Sequence, residues 1–191
     1  MNRRRVEPVG HQLRRQIGVH LARGVPLKAL CGLVSAGRTS GAYRAQPVVA
    51  GDGEGRAEAE AAFAGFPKDR VTFAGRFPPE SMSALYRRAD LYLWPGLKEA
   101  YGLAFLEAQA SGLPVVACDT AGVPAVVHRG RGGLLTPPGD AEALAQSLRI
   151  LLANRQTRET MGEVAAQFVH GERGVAHAAQ QLRPILNGIG A

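Results

Sequence analysis

The stretch from Trp94 to Asp119, WPGLKEAYGLAFLEAQASGLPVVACD, constrains the fold more than any other part of the chain. A loop after Trp94 leads into a predicted helix, and Gly112 and Pro114 are residue types that end a helix. The following run, Val115-Val116-Ala117, is wholly apolar, as in parallel strands that are covered on both faces. The stretch therefore predicts one βαβ unit of a parallel sheet.

The predicted helix begins near Gly102, and its start is a candidate anion site. The first N–H groups of a helix have no partner within the helix, and the positive end of the helix dipole lies there. We expect the N–H groups of Gly102, Leu103 and Ala104 to hold a diphosphate. The spacing of Leu103, Leu106 and Ala110 predicts that these three residues form the buried face of the helix.

Two carboxylates accompany this helix, Glu99 before it and Glu107 in its second turn, with seven residues between them. A single glutamate on a helix is usually a solvated surface residue. Here the pair Tyr101-Gly102 follows the first glutamate, and alanine, glycine, proline and two valines follow the second. The whole pattern resembles the C-terminal domain of retaining glycosyltransferases of family 4, which have the GT-B fold and an E-x7-E motif.

The resemblance implies roles for several of these residues. Glu99 would face the donor sugar as the catalytic glutamate, and Glu107 would accept hydrogen bonds from the ribose hydroxyls of the donor. The backbone from Tyr101 to Ala104 would hold the diphosphate, so no metal ion is expected. A carboxylate can accept two hydrogen bonds from a vicinal diol, and hydrogen bonds to a charged group contribute roughly 1.5–3 kcal/mol each.

Length and composition indicate one ordinary globular domain. The chain has 191 residues, of which 46% are hydrophobic, and no apolar run approaches the length of a membrane span. Arg3-Arg4-Arg5 is not followed by the apolar core of a signal peptide, so a cytoplasmic protein is expected. Cys31 and Cys118 lie far apart in apolar surroundings, which predicts buried free thiols rather than a disulfide or a metal site.

The net charge of +7 is concentrated in the N-terminal part of the chain. Residues 1–46 contain nine Lys and Arg residues and one acid, Glu7, whereas the remainder is nearly neutral. No nucleic-acid-binding motif accompanies the basic residues, so we expect no nucleic-acid partner. We predict that residues 1–15 are a basic, disordered segment, with incidental attraction to phosphate as the alternative, and that residues 16–191 form the domain.

Two registers are open for residues 16–45. In the favoured one, a strand at Gln16–Ala22 precedes Arg23 and Lys28, which keep the spacing of two family residues that reach the donor diphosphate. In the competing register the strand lies at Ala29–Val34. That choice leaves almost no crossover before the next strand at Val48, although parallel strands need a dozen or more connecting residues.

Further loops resemble the family. Pro47–Ala50 is a predicted strand that ends in the turn Gly51-Asp52-Gly53, and a helix at 54–63 follows. The next predicted strand, at 71–74, ends at Gly75-Arg76, which in the family touches the nucleotide base. Arg76 is predicted to contact either a phosphate or solvent. Ala125 stands where the family has an acidic residue, a departure that leaves the main motif unchanged.

The remaining elements complete an α/β pattern. Helices are predicted at 79–88, from the N-cap Asp140 through Leu152, and at 155–169 and 173–187, with strands at 91–94 and within 132–136. Met82, Leu85 and Ala89 are predicted to form the inner face of the first of these helices. His170 and His177 are expected at the surface. Because ligands in open α/β sheets lie outside the carboxyl ends of the strands, Glu99, Gly75 and Gly51 are expected to converge.

These features together predict a single Rossmann-like α/β domain with a parallel sheet, helices on both faces and extra C-terminal helices, which is one half of a GT-B fold. The predicted function is that of the half of a retaining glycosyltransferase that binds the nucleoside diphosphate sugar. Its partners would be that nucleotide sugar and a separate acceptor-binding domain or chain, since a GT-B enzyme has two such domains. The alternatives are a non-catalytic module that binds a nucleotide or nucleotide sugar, and an inactive remnant of a gene.

Overall fold

The computed structural model of the chain describes residues 14–20, 44–53, 56–67, 70–97 and 101–189. Six β-strands lie among these residues: β1 Arg14–His20, β2 Arg44–Ala50, β3 Thr72–Gly75, β4 Leu91–Trp94, β5 Val115–Cys118 and β6 Gly133–Thr136. The same residues form seven α-helices: α1 Arg56–Phe63, α2 Pro79–Arg88, α3 Leu103–Ala110, α4 Val123–Val126, α5 Ala141–Ala153, α6 Arg155–Glu172 and α7 Val175–Ile189. The predicted strands and helices are present, with ends that differ by a few residues.

The strands form one parallel sheet in the order β3-β2-β1-β4-β5-β6. The chain builds the sheet outward from β1 to β3 and then returns to add β4 on the other side of β1. This reversal makes the crevice between β1 and β4 the place where doubly wound sheets bind ligands. The predicted Rossmann-like fold class is therefore confirmed.

The first strand agrees with the favoured register of the N-terminal residues. β1 pairs along its whole length with β2, and Ile17–Val19 also pair with Leu91–Leu93 of β4. The strand predicted at 16–22 is thus confirmed, beginning two residues earlier. The position beside β2 that a strand at 29–34 would take is already occupied by β1. Residues 21–43, which connect β1 to β2, lie outside the described part of the chain.

Two hydrophobic clusters cover the two faces of the sheet. Along β4, Leu91 and Leu93 belong to the cluster that includes α1 and α5, whereas Tyr92 and Trp94 belong to the cluster that includes α2, α3 and α4. Successive side chains of a strand point to opposite faces, so a strand covered by helices on both sides is apolar at every position. This explains why all four residues of β4 are buried.

Helix α3 buries a different face from the one that the sequence predicts. Its buried residues are Phe105, Ala108 and Gln109, whereas the side chain of Leu103 is 67% exposed. The prediction failed because the buried face contains a polar residue. The amide nitrogen of Gln109 donates hydrogen bonds to the carbonyl oxygens of Phe105 and Val126, at 3.1 and 2.8 Å, and these bonds compensate part of its burial.

The C-terminal helices follow the predicted pattern. The Asp140 side chain accepts a hydrogen bond from the Ala143 N–H at 2.9 Å and caps α5, as predicted. The predicted apolar face of α5 is fully buried: Leu144, Leu148, Leu151 and Leu152.

Helix α7 exposes a row of large apolar side chains: Val175, Leu182, Ile185 and Leu186. None of the described helices combines the length and the apolar character needed to cross a membrane.

Candidate functional site

A cavity of about 610 Å³ lies at the carboxyl ends of β2 and β3. Its walls are the loops that follow these two strands, the beginning and middle of α2, and the first two turns of α3. Eleven residues line it: Ala50, Gly51, Asp52, Gly53, Arg76, Phe77, Pro79, Met82, Tyr86, Ala104 and Glu107. The cavity therefore brings together four of the predicted site residues, namely Gly51, Arg76, Ala104 and Glu107.

The loops after β2 and β3 are joined directly to each other. The Gly51 N–H donates a hydrogen bond to the carbonyl oxygen of Gly75 at 2.8 Å. Both glycines have positive φ angles, 128° at Gly51 and 69° at Gly75, which residues with a Cβ atom rarely adopt. The sharp turns that these angles permit bring Asp52 and Arg76 to the edge of the cavity.

Among the residues that the structure describes, no side chain caps the start of α3. Gly102 occupies the N-cap position in the left-handed conformation, with φ 80° and ψ 61°, and no side chain of the described residues accepts a hydrogen bond there. Its carbonyl oxygen accepts the Phe105 N–H at 2.9 Å, which begins the helix. The preceding Tyr101 is exposed, as is Leu103. An uncapped helix start beside a cavity can bind an anion through its N–H groups.

Glu107 projects from the second turn of α3, where it lines the cavity and remains exposed. The hydroxyl of Tyr86, on α2, donates a hydrogen bond to Oε2 of this glutamate at 3.3 Å. Burial raises the pKa of the Tyr86 hydroxyl, and the negative charge of Glu107 raises it further. The tyrosine therefore stays protonated and acts as a donor toward the carboxylate.

A second pair of contacts involves Asp52, the acidic residue of the loop after β2 that lines the cavity. The guanidinium of Arg56 donates hydrogen bonds to Asp52 at 2.9 Å and to Glu60 at 2.8 Å. These ion pairs lie at the surface, where each contributes little to stability. Their effect on the site is to pair the Asp52 carboxylate with a cation. Arg76, which is exposed, lines the same cavity.

Three of the predicted site residues, Glu99, Arg23 and Lys28, lie outside the described residues. Within the described ranges, no group of three or more His, Cys, Asp and Glu side chains is arranged to hold a metal ion. The prediction of a free, buried thiol is confirmed at Cys118, whereas Cys31 is another residue outside these ranges.

The role of Tyr86 could not be predicted from the sequence. Met82, Leu85 and Ala89 were the predicted inner face of α2, and all three are half-buried, whereas Tyr86 is the one buried residue of this helix. Tyr86 lies four residues after Met82 on the same helical face, so the spacing was consistent with burial. Nothing in the spacing indicated that its hydroxyl would contact Glu107.

A second cavity of about 350 Å³ lies at the opposite edge of the sheet, where β4 and β5 begin. Asp90, Pro114 and the buried Arg158 help to line it, and Tyr86 lines both cavities. Arg158 donates to the carbonyl oxygens of Leu151 and Leu152 at the end of α5. These hydrogen bonds join α6 to the end of α5.

Comparison with known proteins gives consistent results. The sequence profile of the family described as glycosyl transferases group 1 matches residues 5–168. A sulfoquinovosyl transferase of Arabidopsis thaliana is 38% identical over 120 residues, a match that covers 61% of this chain and 23% of the plant enzyme. The chain thus spans less than a third of the length of the curated relatives that it matches first.

Solved structures share the fold. HepE of Anabaena, crystallised in complex with UDP-glucose, superposes with a TM-score of 0.76 at 22% identity, covering 92% of this chain and 49% of that protein. The C-terminal domain of LpcC from Francisella tularensis, a glycosyl transferase group 1 family protein, superposes with a TM-score of 0.72 at 20% identity. That match covers 84% of this chain and 87% of the LpcC domain.

Proposed function

Because the chain belongs to the family of glycosyl transferases group 1, we propose that it is the donor-binding, C-terminal half of a retaining glycosyltransferase of family 4. Its ligand is a nucleoside diphosphate sugar. The E-x7-E pattern of Glu99 and Glu107 is the sequence feature that supports the narrower assignment. The likeness to the isolated C-terminal domain of LpcC supports a domain of this extent. The first described strand of this chain begins at Arg14, two residues before the predicted boundary at residue 16.

The observation that carries the proposal is the convergence of two groups on one cavity. The uncapped start of α3 offers N–H groups and a positive dipole, and Glu107 lies one turn further along the same helix. Consecutive residues of a helix rise by about 1.5 Å, so roughly 6 Å of helix separate Leu103 from Glu107. A diphosphate at Gly102, Leu103 and Ala104 would then place the adjoining ribose diol beside the carboxylate.

The remaining residues complete the proposed donor site. Tyr101 precedes the phosphate-binding turn, and Gly75 and Arg76 are proposed to contact the base, mainly through the backbone. Gly51 supports that loop through its bond to Gly75. Glu99 would contact the sugar.

Two basic side chains from the segment after β1 are also proposed to contact the diphosphate. Arg23 and Lys28 follow β1 in the sequence, and the carboxyl end of β1 borders the crevice where doubly wound sheets bind ligands. With backbone N–H groups and two cations on the phosphates, the site would need no metal ion.

The acceptor is proposed to bind elsewhere. The chain covers 49% of HepE and 23% of the plant sulfoquinovosyl transferase, so these proteins contain further chain that has no counterpart here. Transfer requires the acceptor hydroxyl within roughly 3–3.5 Å of the reacting carbon, which a donor site alone does not provide. A separate acceptor-binding domain or chain is therefore the proposed partner.

The proposal is tested by comparing binding with transfer. The purified chain is titrated by calorimetry with UDP, GDP and ADP, and is then incubated with nucleotide sugars and candidate acceptors while glycosylated product and free nucleotide are measured. The expected result is binding of one nucleotide without sugar transfer, accompanied at most by slow donor hydrolysis. Robust transfer to an acceptor without an added protein would contradict the half-enzyme proposal, and absence of all binding would contradict the donor site.

A further inference from the structure

The carboxylate of Glu107 has one hydrogen-bond donor within the described part of the chain, the hydroxyl of Tyr86 at 3.3 Å. The two residues differ sharply in burial. Tyr86 is 3% exposed, whereas Glu107 is exposed and lines the larger cavity. A buried group on α2 therefore holds one oxygen of an exposed carboxylate on α3.

The position of the Tyr86 ring is fixed by a chain of aromatic contacts. Tyr86 packs edge-on against Tyr92, with ring centroids 5.8 Å apart, and Tyr92 packs edge-on against Phe105 at 5.9 Å. Trp94, two residues after Tyr92 on β4, also packs edge-on against Phe105, with ring centroids 5.8 Å apart. Such edge-to-face arrangements have a preferred geometry, so the rings resist reorientation. Because Phe105 and Glu107 share α3, the hydroxyl and the carboxylate are held on one rigid unit.

The hydrogen bond from the Tyr86 hydroxyl to the Glu107 carboxylate has a physical consequence for ligand binding. A glutamate side chain has several rotamers, and ordering them opposes binding. A donor that already holds Oε2 selects the rotamers in which the carboxylate stays beside α2. Its other oxygen and remaining lone pairs stay available to a ligand. Burial keeps the tyrosine protonated, so it continues to donate wherever Glu107 is ionised.

We infer that Tyr86 is a positioning residue for the ribose subsite: its hydroxyl fixes the Glu107 carboxylate so that this carboxylate selects ligands with a vicinal ribose diol. The inference rests on the proposed donor site. It assigns to Tyr86 an effect on the selectivity between ribose and deoxyribose, which a purely structural tyrosine would not have. The base and the phosphates are bound by other groups and are unaffected.

The test compares two ligands on three proteins. The ligands are the best-binding nucleotide among UDP, GDP and ADP and its 2′,3′-dideoxy analogue, which lacks the diol. The proteins are the wild type, Tyr86→Phe and the control Tyr92→Phe, which removes a hydroxyl from the same aromatic cluster. Tyr86→Phe keeps the ring and leaves the exposed Glu107 solvated, so the fold is retained, as thermal melting of each variant checks.

The expected result is a loss of selectivity in one variant. Tyr86→Phe should bind the ribonucleotide about three- to tenfold more weakly, the range that the net contribution of one ordinary hydrogen bond gives, and the dideoxy analogue within about twofold of the wild type. Tyr92→Phe should keep the wild-type ratio. In a Glu107→Gln background the Tyr86→Phe change should have a smaller effect on the ratio, because the charged acceptor is already gone.

Other outcomes separate this inference from the proposed function. If the wild type binds the ribonucleotide with a preference over the dideoxy analogue, and Tyr86→Phe keeps that preference, the inference is overturned while the donor site stands. An equal loss for both ligands would also overturn it, because it would indicate a structural role. If the wild type binds none of the three nucleotides, the proposed function fails, and the positioning role fails with it.

Discussion

Gly162 of α6 packs directly against the backbone of Gly112, at the end of α3. A Cβ atom built at Gly162 would lie 2.0 Å from the carbonyl oxygen of Gly112, and 3.4 Å from the Cδ atom of Pro114. No side chain fits in that space. The close approach of α6 therefore fixes the end of the helix whose first two turns carry the candidate site.

The first prediction concerns this contact. Gly162→Ala should destabilise the protein by at least about 1–3 kcal/mol, the usual penalty for overpacking a close contact. The matched control is Gly171→Ala in the same helix, where an added Cβ meets nothing within 4 Å. The control should be neutral or stabilising, since alanine favours a helix over glycine by up to about 1 kcal/mol. Urea denaturation measures both, and equal stabilities would contradict the contact.

The second prediction concerns Glu107. Glu107→Gln should weaken nucleoside diphosphate binding by about tenfold or more, because the hydrogen bonds from the ribose diol would no longer reach a charged acceptor. The fold should be unchanged, since the side chain is exposed. Glu163→Gln removes the same charge from an exposed position of α6 and should bind as the wild type does. Equal affinities for all three proteins in titration calorimetry would remove the ribose-binding role.

The third prediction concerns the two basic residues that follow β1. Arg23→Ala and Lys28→Ala should each reduce diphosphate affinity by roughly tenfold at low salt, because both would act as charges on phosphate. Screening should make the loss smaller at high salt. The comparison is with Arg183→Ala, an exposed residue of α7. Unchanged binding in both site variants, measured at two salt concentrations, would refute their assignment to the diphosphate.

The fourth prediction concerns Cys118, whose thiol is buried beneath the loop after β4, with Sγ 3.8 Å from the carbonyl oxygen of Pro95. Burial raises the pKa of this thiol. The unfolded chain ionises first, at about pH 8.5, so the thiol's contribution to stability is complete below that pH and is lost as the pH rises toward the folded pKa.

Cys118→Ala should therefore lose less stability than the wild type between pH 7 and pH 10. Both proteins are best compared in a Cys31→Ser background, in which Cys118 is the single thiol. The free energy of unfolding in urea at the two pH values gives the result. Identical losses would show that the thiol titrates normally, and rapid modification of the native thiol by a disulfide reagent at pH 7 would contradict its burial.

The sequence predicted the strands well because their signals are local. Leu91–Trp94 and Val115–Cys118 are short apolar runs bounded by turn residues, and both became central, doubly covered strands. The face of α3 was mispredicted for a physical reason. Most of this helix is apolar, so its periodicity is weak, and the buried Gln109 is compensated by backbone oxygens that only the tertiary fold brings near.

Part of the candidate site was also predictable from the sequence. The sequence indicated Glu107 and the start of α3 because these belong to one continuous motif, and Gly51 and Arg76 because both follow strands of a parallel sheet. It could not indicate Tyr86, whose contact with Glu107 depends on how α2 and α3 pack together. A hydrogen bond between residues of different helices leaves no spacing pattern in the sequence.

The central claim is that the nucleoside diphosphate binds at the start of α3 and at the carboxyl ends of β2 and β3. It is tested most directly by amide NMR of the isotope-labelled chain during a titration with UDP, with GDP and ADP as the alternatives. We predict that the largest shifts occur at Gly102, Leu103 and Ala104, followed by Gly51 and Gly75. Shifts confined to Ser111–Leu113, beside the cavity at the opposite edge of the sheet, or no shifts with any of the three nucleotides, would contradict the account.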